Sequence, residues 1–165
     1  MTTQIIAAMT QERVIGLRGK LPWKIPEDMK LFKELTEKNT VIMGKNTWLS
    51  IPQKYRPLPN RTNIIISTTL KEEKGAIVCP TIQEALKEAQ KTKKEIFCIG
   101  GAQLYKEFLQ FCNALNISMV KKNYTGDTYF PKFDENEWNI EEEKDFGEFV
   151  YKKYKRKTNP NTNTN

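Results

Sequence analysis

The sequence predicts a single α/β domain with a mostly parallel central β-sheet that is flanked by helices. Its length of 165 residues is that of one ordinary domain. Several short segments are continuously apolar, a pattern typical of strands that are buried on both faces of a sheet. Segments with helical spacing of apolar residues lie between them, and this alternation is typical of parallel α/β folds.

The individual elements follow from the same pattern. Strands are predicted at residues 4–9, 40–44, 62–67, 76–79, 95–99 and 114–120, and helices at residues 25–36, 47–51, from 81 onward and from 102 to about 111. Pro26 suits the first turn of a helix, and Thr81 and Glu84 have the spacing of a capping box. Residues 52–60 contain three prolines and predict a loop. Residues 138–143 and 148–156 predict an antiparallel C-terminal hairpin.

Composition sets the limits of the domain and its compartment. Residues 1–157 form the predicted domain, whereas residues 158–165 contain only Thr, Asn and one Pro and predict a disordered tail. The longest apolar run, residues 5–9, is far too short to cross a bilayer, and no secretory signal is recognisable. Three cysteines without a CxxC pair argue against a disulfide framework or a thiolate zinc site. We therefore expect a cytoplasmic protein without a bound metal.

The chain contains no histidine. This excludes Ser-His-Asp triads, Cys-His proteases and histidine-ligated metals. Proton transfer in any reaction must then use a carboxylate, a lysine, a tyrosine or water.

The net charge of +7 is concentrated near the C-terminus, where residues 152–157 include five lysines or arginines. One interpretation is a lysine-rich edge strand that prevents edge-to-edge pairing, and we favour it. The other is a binding patch for nucleic acid, although such a patch would spread its basic residues over a whole face.

Two predicted strands end in glycine and lead directly into a helix. Gly44 is followed by Lys45, Asn46 and Thr47, and the second strand ends in Gly100-Gly101. Glycine lets a ligand approach the backbone closely, and the free N–H groups of a helix start favour an anion. The chain has neither GxGxxG nor GxxxxGK[ST], so each pair taken alone is better explained as a simple turn.

Asp28 is the most informative single residue. Helical spacing places it on the same face as Phe32 and Leu35, so the apolar stripe of that helix carries a carboxylate. Burial beside apolar side chains should raise the pKa of the carboxyl. A buried arginine partner and a catalytic role are both open at this point. Just before it, residues 16–23 contain two glycines and end in Pro22-Trp23, which suits a mobile lid.

These residues together resemble the dihydrofolate reductase family in residue type and spacing. The matching motifs are Val14-Ile15-Gly16, Leu21-Pro22-Trp23, Asp28, Phe32 and Thr36, then residues 41–48 (VIMGKNTW), residues 56–61 (RPLPNR), Ile99-Gly100-Gly101 with Tyr105, and residues 126–131 (GDTYFP). The resemblance covers essentially everything before the tail. It implies a single-domain enzyme that uses NADPH to reduce 7,8-dihydrofolate to 5,6,7,8-tetrahydrofolate.

The resemblance also implies roles for individual residues. Asp28 would hydrogen-bond the pterin and support its protonation, Trp23 would hold a water near the pterin, and Ser118 would hydrogen-bond Asp28. Tyr105 would stabilise positive charge at the nicotinamide, and the Gly100-Gly101 peptide bond would be cis. The full implied substrate pocket consists of Ile6, Ala8, Leu21, Asp28, Met29, Phe32, Lys33, Ile51, Arg56, Leu58, Arg61, Ile99 and Ser118. Arg61 would bind the glutamate α-carboxylate of dihydrofolate with its planar fork.

The same resemblance implies where NADPH binds. Asn46, Thr47 and residues 100–104 would hold the pyrophosphate, and Ser67 and Thr68 would face the 2′-phosphate. The full implied cofactor set is Ala8, Ile15, Gly16, Gly19, Lys20, Leu21, Gly44, Lys45, Asn46, Thr47, Ser67, Thr68, Ile99, Gly100, Gly101, Ala102, Gln103, Leu104, Tyr105 and Thr128. Lys45 and Gln103 stand where many relatives carry Arg, which predicts a weaker grip on the 2′-phosphate.

Two other functions remain as alternatives. A related NADPH reductase could act on another pteridine or on a pyrimidine, although Asp28, Phe32 and Arg61 argue against it. A non-catalytic basic module would bind nucleic acid through residues 152–157, with a strong dependence on salt. For the folate enzyme we expect a monomer that binds dihydrofolate and antifolates such as trimethoprim and needs neither nucleic acid nor a membrane.

Overall fold

The computed structural model describes residues 2–158, which form ten strands and four α-helices. The strands are β1 (Thr3–Thr10), β2 (Val14–Gly16), β3 (Thr40–Gly44), β4 (Thr62–Ile66), β5 (Ala76–Cys79), β6 (Ile96–Cys98), β7 (Ala114–Val120), β8 (Thr128–Tyr129), β9 (Trp138–Asp145) and β10 (Phe149–Arg156). The helices are α1 (Pro26–Thr36), α2 (Lys45–Ser50), α3 (Ile82–Lys91) and α4 (Ala102–Phe108). Apart from Thr158, the predicted tail lies outside the described residues.

Eight strands form one sheet in the order β5-β4-β3-β6-β1-β7-β10-β9. The first six in this order run parallel, and β10 is antiparallel to both β7 and β9. Successive residues pack on opposite faces, since Ile42 and Ile64 belong to one apolar cluster whereas Val41 and Ile65 belong to another. The predicted fold, a mostly parallel sheet covered on both faces with an antiparallel C-terminal hairpin, is confirmed.

Several element boundaries differ from the prediction. Helix α2 begins at Lys45, two residues early, and α4 ends at Phe108 because the chain turns from Leu109 onward. The predicted loop at residues 52–60 contains a short 3₁₀ turn, Gln53–Tyr55. Strands β2 and β8 pair with each other outside the main sheet, and the sequence did not predict them because each is only two or three residues long.

The prediction that the lysine-rich strand lies at the sheet edge is wrong. β10 is the second strand from the edge, and the acidic strand β9 covers it. Lys152 and Lys153 lie 4.0 and 3.9 Å from Glu143 and Glu141 of β9, respectively. The basic residues therefore face an acidic neighbour, and exposed glutamates occupy the edge itself.

The predicted helix cap at Thr81 and the predicted lack of disulfides agree with the structure of residues 2–158. Thr81 caps α3 by accepting a hydrogen bond from the Glu84 backbone N–H. Cys79, Cys98 and Cys112 are buried with free thiols. No helix among residues 2–158 is long and apolar enough to cross a membrane.

Candidate active site

The two glycine-terminated strands lie side by side in the sheet. β3 and β6 are parallel neighbours, and the Gly44 N–H donates to the Gly100 carbonyl at 2.9 Å. The Gly100-Gly101 peptide bond is cis, as the resemblance implied. A β-carbon added at Gly44 would meet only the Gly100 oxygen, at 3.8 Å, and one at Gly101 only Thr47 Oγ1, at 3.7 Å. The backbone is thus open to a ligand at both strand ends.

The helices that follow these strands are suited to a diphosphate. Gly44 and Gly101 are the N-caps of α2 and α4, and neither end has a side-chain cap. Their first N–H groups are therefore free to bind anionic oxygens. The residues present fit the pyrophosphate of a dinucleotide, with Lys45 adding a positive charge at one side.

Asp28 lies in the first turn of α1 and is half-buried. The Ser118 hydroxyl, from β7, donates to its Oδ1 at 2.6 Å. Burial raises the pKa of Asp28, and the hydrogen bond from Ser118 offsets part of that rise. Among the described residues no cation acts on this carboxyl, so the interpretation as a buried ion pair with arginine is not supported.

Tyr105 and Ile6 form a second fixed contact of the site. The Tyr105 hydroxyl donates to the Ile6 carbonyl at 2.8 Å, and burial raises the pKa of the tyrosine well above its usual range. Tyr105 therefore stays neutral. The side chain also lies against Gly100, where an added β-carbon would be 3.1 Å from the hydroxyl oxygen.

Trp23 is buried at the end of the predicted lid, and its ring lies 5.4 Å from that of Tyr124. Its indole Nε1 is buried and has no hydrogen-bond partner among residues 2–158. A buried indole N–H without a partner is a donor available for a water or a ligand.

The apolar residues of the predicted substrate pocket fall into two groups, apart from Ala8, which packs in the cluster of Trp23. Ile6, Phe32, Ile51, Leu58 and Ile99 pack in one cluster. Leu21 and Met29 are instead 54% and 60% exposed.

Arg61 is held in place before any ligand binds. Its Nε donates to the Pro59 carbonyl and its Nη1 to Thr36 Oγ1, both at 3.0 Å. Its guanidinium lies 6.0 Å from the centre of the Phe32 ring. The other predicted cations are placed differently: Arg56 lies over the Trp48 ring at 5.5 Å, and Lys33 is exposed on α1.

Lys45 belongs to a hydroxyl cluster beyond β4. Its Nζ donates to Thr69 Oγ1 at 2.9 Å, and Thr69 lies 3.3 Å from Ser67 Oγ. Ser67 also accepts the Leu70 N–H, which fixes the turn. Gln103 is not part of this cluster, because its side chain donates to Glu107 within α4.

The predicted lid is fastened to the segment that follows β7. Asp127 accepts the Arg18 N–H at 3.0 Å, and its own N–H donates to the Gly16 carbonyl at 3.0 Å. A β-carbon at Gly126 would lie 2.2 Å from Val14, so this contact requires glycine. Hydrogen bonds from Arg18 and Thr128 lower the pKa of Asp127, which stays ionised.

Comparison with known proteins identifies the family. The family model described as dihydrofolate reductase matches residues 2–159. The chain belongs to the dihydrofolate reductase family. The predicted enzyme class, the reduction of dihydrofolate and the cofactor NADPH are confirmed with it.

Individual relatives agree with this assignment. The chain is similar to the dihydrofolate reductase of Buchnera aphidicola (subsp. Acyrthosiphon pisum), with 42% identity over 133 residues and 81% of each chain covered. It is 37% identical over 136 residues to that of Bacillus subtilis, covering 82% of this chain and 79% of the relative. A solved dihydrofolate reductase from Enterococcus faecalis, complexed with NADP(H) and RAB-propyl, superposes with a TM-score of 0.85 at 32% identity. That alignment covers 95% of this chain and 97% of the other.

Three residues of this dihydrofolate reductase site were not predicted as site residues. Thr36 accepts a hydrogen bond from Arg61, Thr69 accepts one from Lys45, and Asp127 accepts the Arg18 N–H of the predicted lid. Thr36 and Asp127 lie within the family motifs that the sequence showed, so the motifs could have indicated them. Thr69 follows Ser67 and Thr68 in a run of hydroxyl residues and carries no other signal.

Proposed function

We propose that Asp28 is the acid that binds the pterin of dihydrofolate and supports its protonation. The observation that carries this proposal is a half-buried carboxyl that receives one hydrogen bond, from Ser118, and no ion pair among the described residues. Because its pKa is raised, the Asp28 carboxyl favours binding a proton or pairing with a protonated heterocycle. Trp23, with its free indole N–H, is the nearby donor proposed to hold a water.

The remaining pterin contacts are proposed for backbone carbonyls. Ile6 lies within β1 and Ile99 directly follows β6, and their carbonyls would accept hydrogen bonds from the pterin edge. Tyr105 fixes the Ile6 carbonyl through its hydroxyl and stays neutral, so it can orient that acceptor without adding charge. Phe32, Ile51 and Leu58 would exclude water from the benzoyl group, and Arg61 would bind the substrate carboxylate.

NADPH supplies the hydride when it is bound. The first N–H groups of α2 and α4, with Asn46, Thr47 and residues 100–104, would hold its pyrophosphate. Lys45, Ser67 and Thr69 would bind the 2′-phosphate through one charge and two hydroxyls. Ala8 and residues 15–20 would flank the nicotinamide and ribose, with Thr128 supporting the lid at Gly16.

We further propose that the protein acts as a cytoplasmic monomer, without nucleic acid, and that antifolates bind in the pterin pocket. An antifolate heterocycle that carries a proton would pair with the Asp28 carboxylate. The exposed glutamates of β9 at the sheet edge oppose edge-to-edge association. The ion pairs between β9 and β10 leave fewer free cations for nucleic acid.

The decisive experiment follows NADPH absorbance on addition of dihydrofolate to the parent protein and to Asp28→Asn. We expect the variant to fold and to lose most turnover at neutral pH, with partial recovery at low pH, where dihydrofolate protonates without help. Asp134→Asn is the matched control, since the exposed Asp134 side chain accepts the Asn136 N–H in another turn of the chain. Unchanged turnover of Asp28→Asn at neutral pH would remove the proposed role.

A further inference from the structure

Four side chains form a continuous row of hydrogen bonds that crosses the neighbouring strands β10, β7 and β1 and ends at Glu95, directly before β6. The Tyr151 hydroxyl donates to Asn116 Oδ1 at 2.7 Å, and Asn116 Nδ2 donates to Gln4 Oε1 at 2.9 Å. Gln4 Nε2 then donates to Glu95 Oε2 at 2.8 Å. We call Tyr151, Asn116, Gln4 and Glu95 the polar row.

The polar row is unusual because it lies inside the protein. Gln4, Asn116 and Tyr151 are each at most 6% exposed, and only Glu95, at its end, is half-buried. Every donor points the same way, toward the Glu95 carboxylate, so the bonds polarise one another. Burying such groups costs free energy that apolar side chains would not cost. A requirement for defined geometry explains their presence better than stability does.

The polar row lies directly behind the proposed pterin site. Asn116 pairs in register with Ile6 of β1, and its Nδ2 also donates to the Ile5 carbonyl at 3.2 Å. The neighbouring Ile6 carbonyl is the one that accepts the Tyr105 hydroxyl. Side chains therefore hold two successive carbonyls of β1.

The other end of the polar row lies beside Ser118, the hydrogen-bond partner of the pocket acid. Tyr151 pairs directly with Ser118 in the antiparallel contact between β10 and β7, which places the two side chains on one face about 5 Å apart. Tyr151 also packs in the apolar cluster that contains Trp23 and Leu35. The ring of Tyr151 thus lies beside the serine whose hydroxyl must point at Asp28.

We propose that the polar row positions the pterin site: Tyr151 and Asn116 align Ser118 of β7, and through it Asp28 of α1, with the Ile6 carbonyl of β1. None of the four residues is assigned contact with substrate or cofactor, so they are positioning residues. The inference rests on the proposed roles of Asp28 and Ile6. It predicts that damage to the row lowers the rate of hydride transfer more than it weakens ligand binding.

The first test is Tyr151→Phe, which removes one hydroxyl and keeps the ring. We expect single-turnover hydride transfer to fall about threefold to tenfold, the loss expected for one buried hydrogen bond. The KM for dihydrofolate and the Kd for NADPH should change less than about twofold. Tyr154→Phe is the matched control, because Tyr154 is equally buried on the same strand but packs in the cluster on the opposite face.

The second test asks whether the polar row acts as a unit. Glu95→Gln removes the charge at the half-buried end of the polar row, which is the end farther from Asp28. This variant should also slow hydride transfer. The double variant Tyr151→Phe/Glu95→Gln should lose less activity than the product of the two single fold-losses, whereas the losses of independent sites would multiply. A purely structural role would lower Tm and leave hydride transfer per folded molecule unchanged, and that result would overturn the inference. Losses that multiply in the double variant would overturn it as well. Asp28→Asn in the same assay distinguishes failure of the proposed function from failure of this inference. Full activity of Asp28→Asn would remove the proposed role of Asp28. An inactive Asp28→Asn together with a fully active Tyr151→Phe would remove only the proposed role of the polar row.

Discussion

The Ser118 hydroxyl donates a 2.6 Å hydrogen bond to Asp28, and this bond opposes the effect of burial on the carboxyl. Burial raises the pKa and the hydrogen bond lowers it, so Ser118→Ala should raise the pKa of Asp28 further. If turnover needs the proton that Asp28 supports, activity falls as pH rises through this pKa. The alkaline fall of hydride transfer should therefore move to higher pH in Ser118→Ala.

The measurement is the single-turnover rate between about pH 5 and about pH 9. Ser118→Thr keeps the hydroxyl and should retain the parent profile. At neutral pH we expect Ser118→Ala to lose about twofold to tenfold in rate, as the carboxyl is less well oriented. A shift of the alkaline fall to lower pH would contradict the proposed link between Ser118 and Asp28.

Arg61 is expected to determine affinity for the carboxylate of the substrate. The Pro59 carbonyl and Thr36 orient its guanidinium, so little side-chain entropy is lost on binding. Arg61→Leu should raise the Kd for dihydrofolate more than about tenfold and leave that for NADPH unchanged. Arg61→Lys keeps the charge but not the planar fork, so its Kd for dihydrofolate should lie between those of the parent and Arg61→Leu. Equal losses for both ligands in a binding titration would show that Arg61 does not bind the substrate carboxylate.

Lys45 is expected to carry the preference for NADPH over NADH. It bonds Thr69, and it is the cation of the hydroxyl cluster proposed for the 2′-phosphate. Lys45→Ala should lower kcat/KM for NADPH about tenfold while changing that for NADH less than about twofold. Lys91→Ala removes the same charge from an exposed ion pair with Glu88 and serves as control. A parallel loss with both cofactors would place the 2′-phosphate elsewhere.

The sequence predicted the central sheet because most residues of its buried strands are apolar. It could not assign β2 and β8, since such short strands are defined by a partner far along the chain. The lysine-rich strand was wrongly placed at the edge of the sheet. Five positive charges in β10 and the adjoining Lys157 indicate exposure, but they do not give the order of the strands. That order depends on β9, whose glutamates pair with the lysines.

The site, like the fold, could be predicted where the signal lies within a few neighbouring residues and not where it depends on a distant partner. Asp28 could be found from helical spacing alone, since a carboxylate on an apolar stripe is visible in one turn of helix. Its partner Ser118 is 90 residues away and was predicted only from the resemblance to the family. The polar row has no local signal either, because Gln4, Asn116 and Tyr151 read as isolated polar or aromatic residues in strands.

Asp127 is expected to hold the lid at residues 16–23 over the cofactor. It accepts the Arg18 N–H, and its backbone bonds the Gly16 carbonyl. Asp127→Ala removes the first bond and keeps the second, so the protein should fold while the lid opens more often. We expect hydride transfer to fall about threefold to tenfold and NADPH to dissociate faster, measured by stopped-flow fluorescence.

The pH dependence of this bond has a defined sign. Hydrogen bonds from Arg18 and Thr128 lower the pKa of Asp127, so its contribution is complete above the ordinary aspartate pKa and disappears only as pH falls through the lowered one. The difference in NADPH release between parent and Asp127→Ala should therefore stay constant from neutral pH down to the ordinary aspartate range and shrink below it. Asp134→Ala, which removes a similar bond in a distant exposed turn, should leave NADPH release unchanged. A difference that already disappears near neutral pH would mean that Asp127 does not hold the lid through its carboxylate.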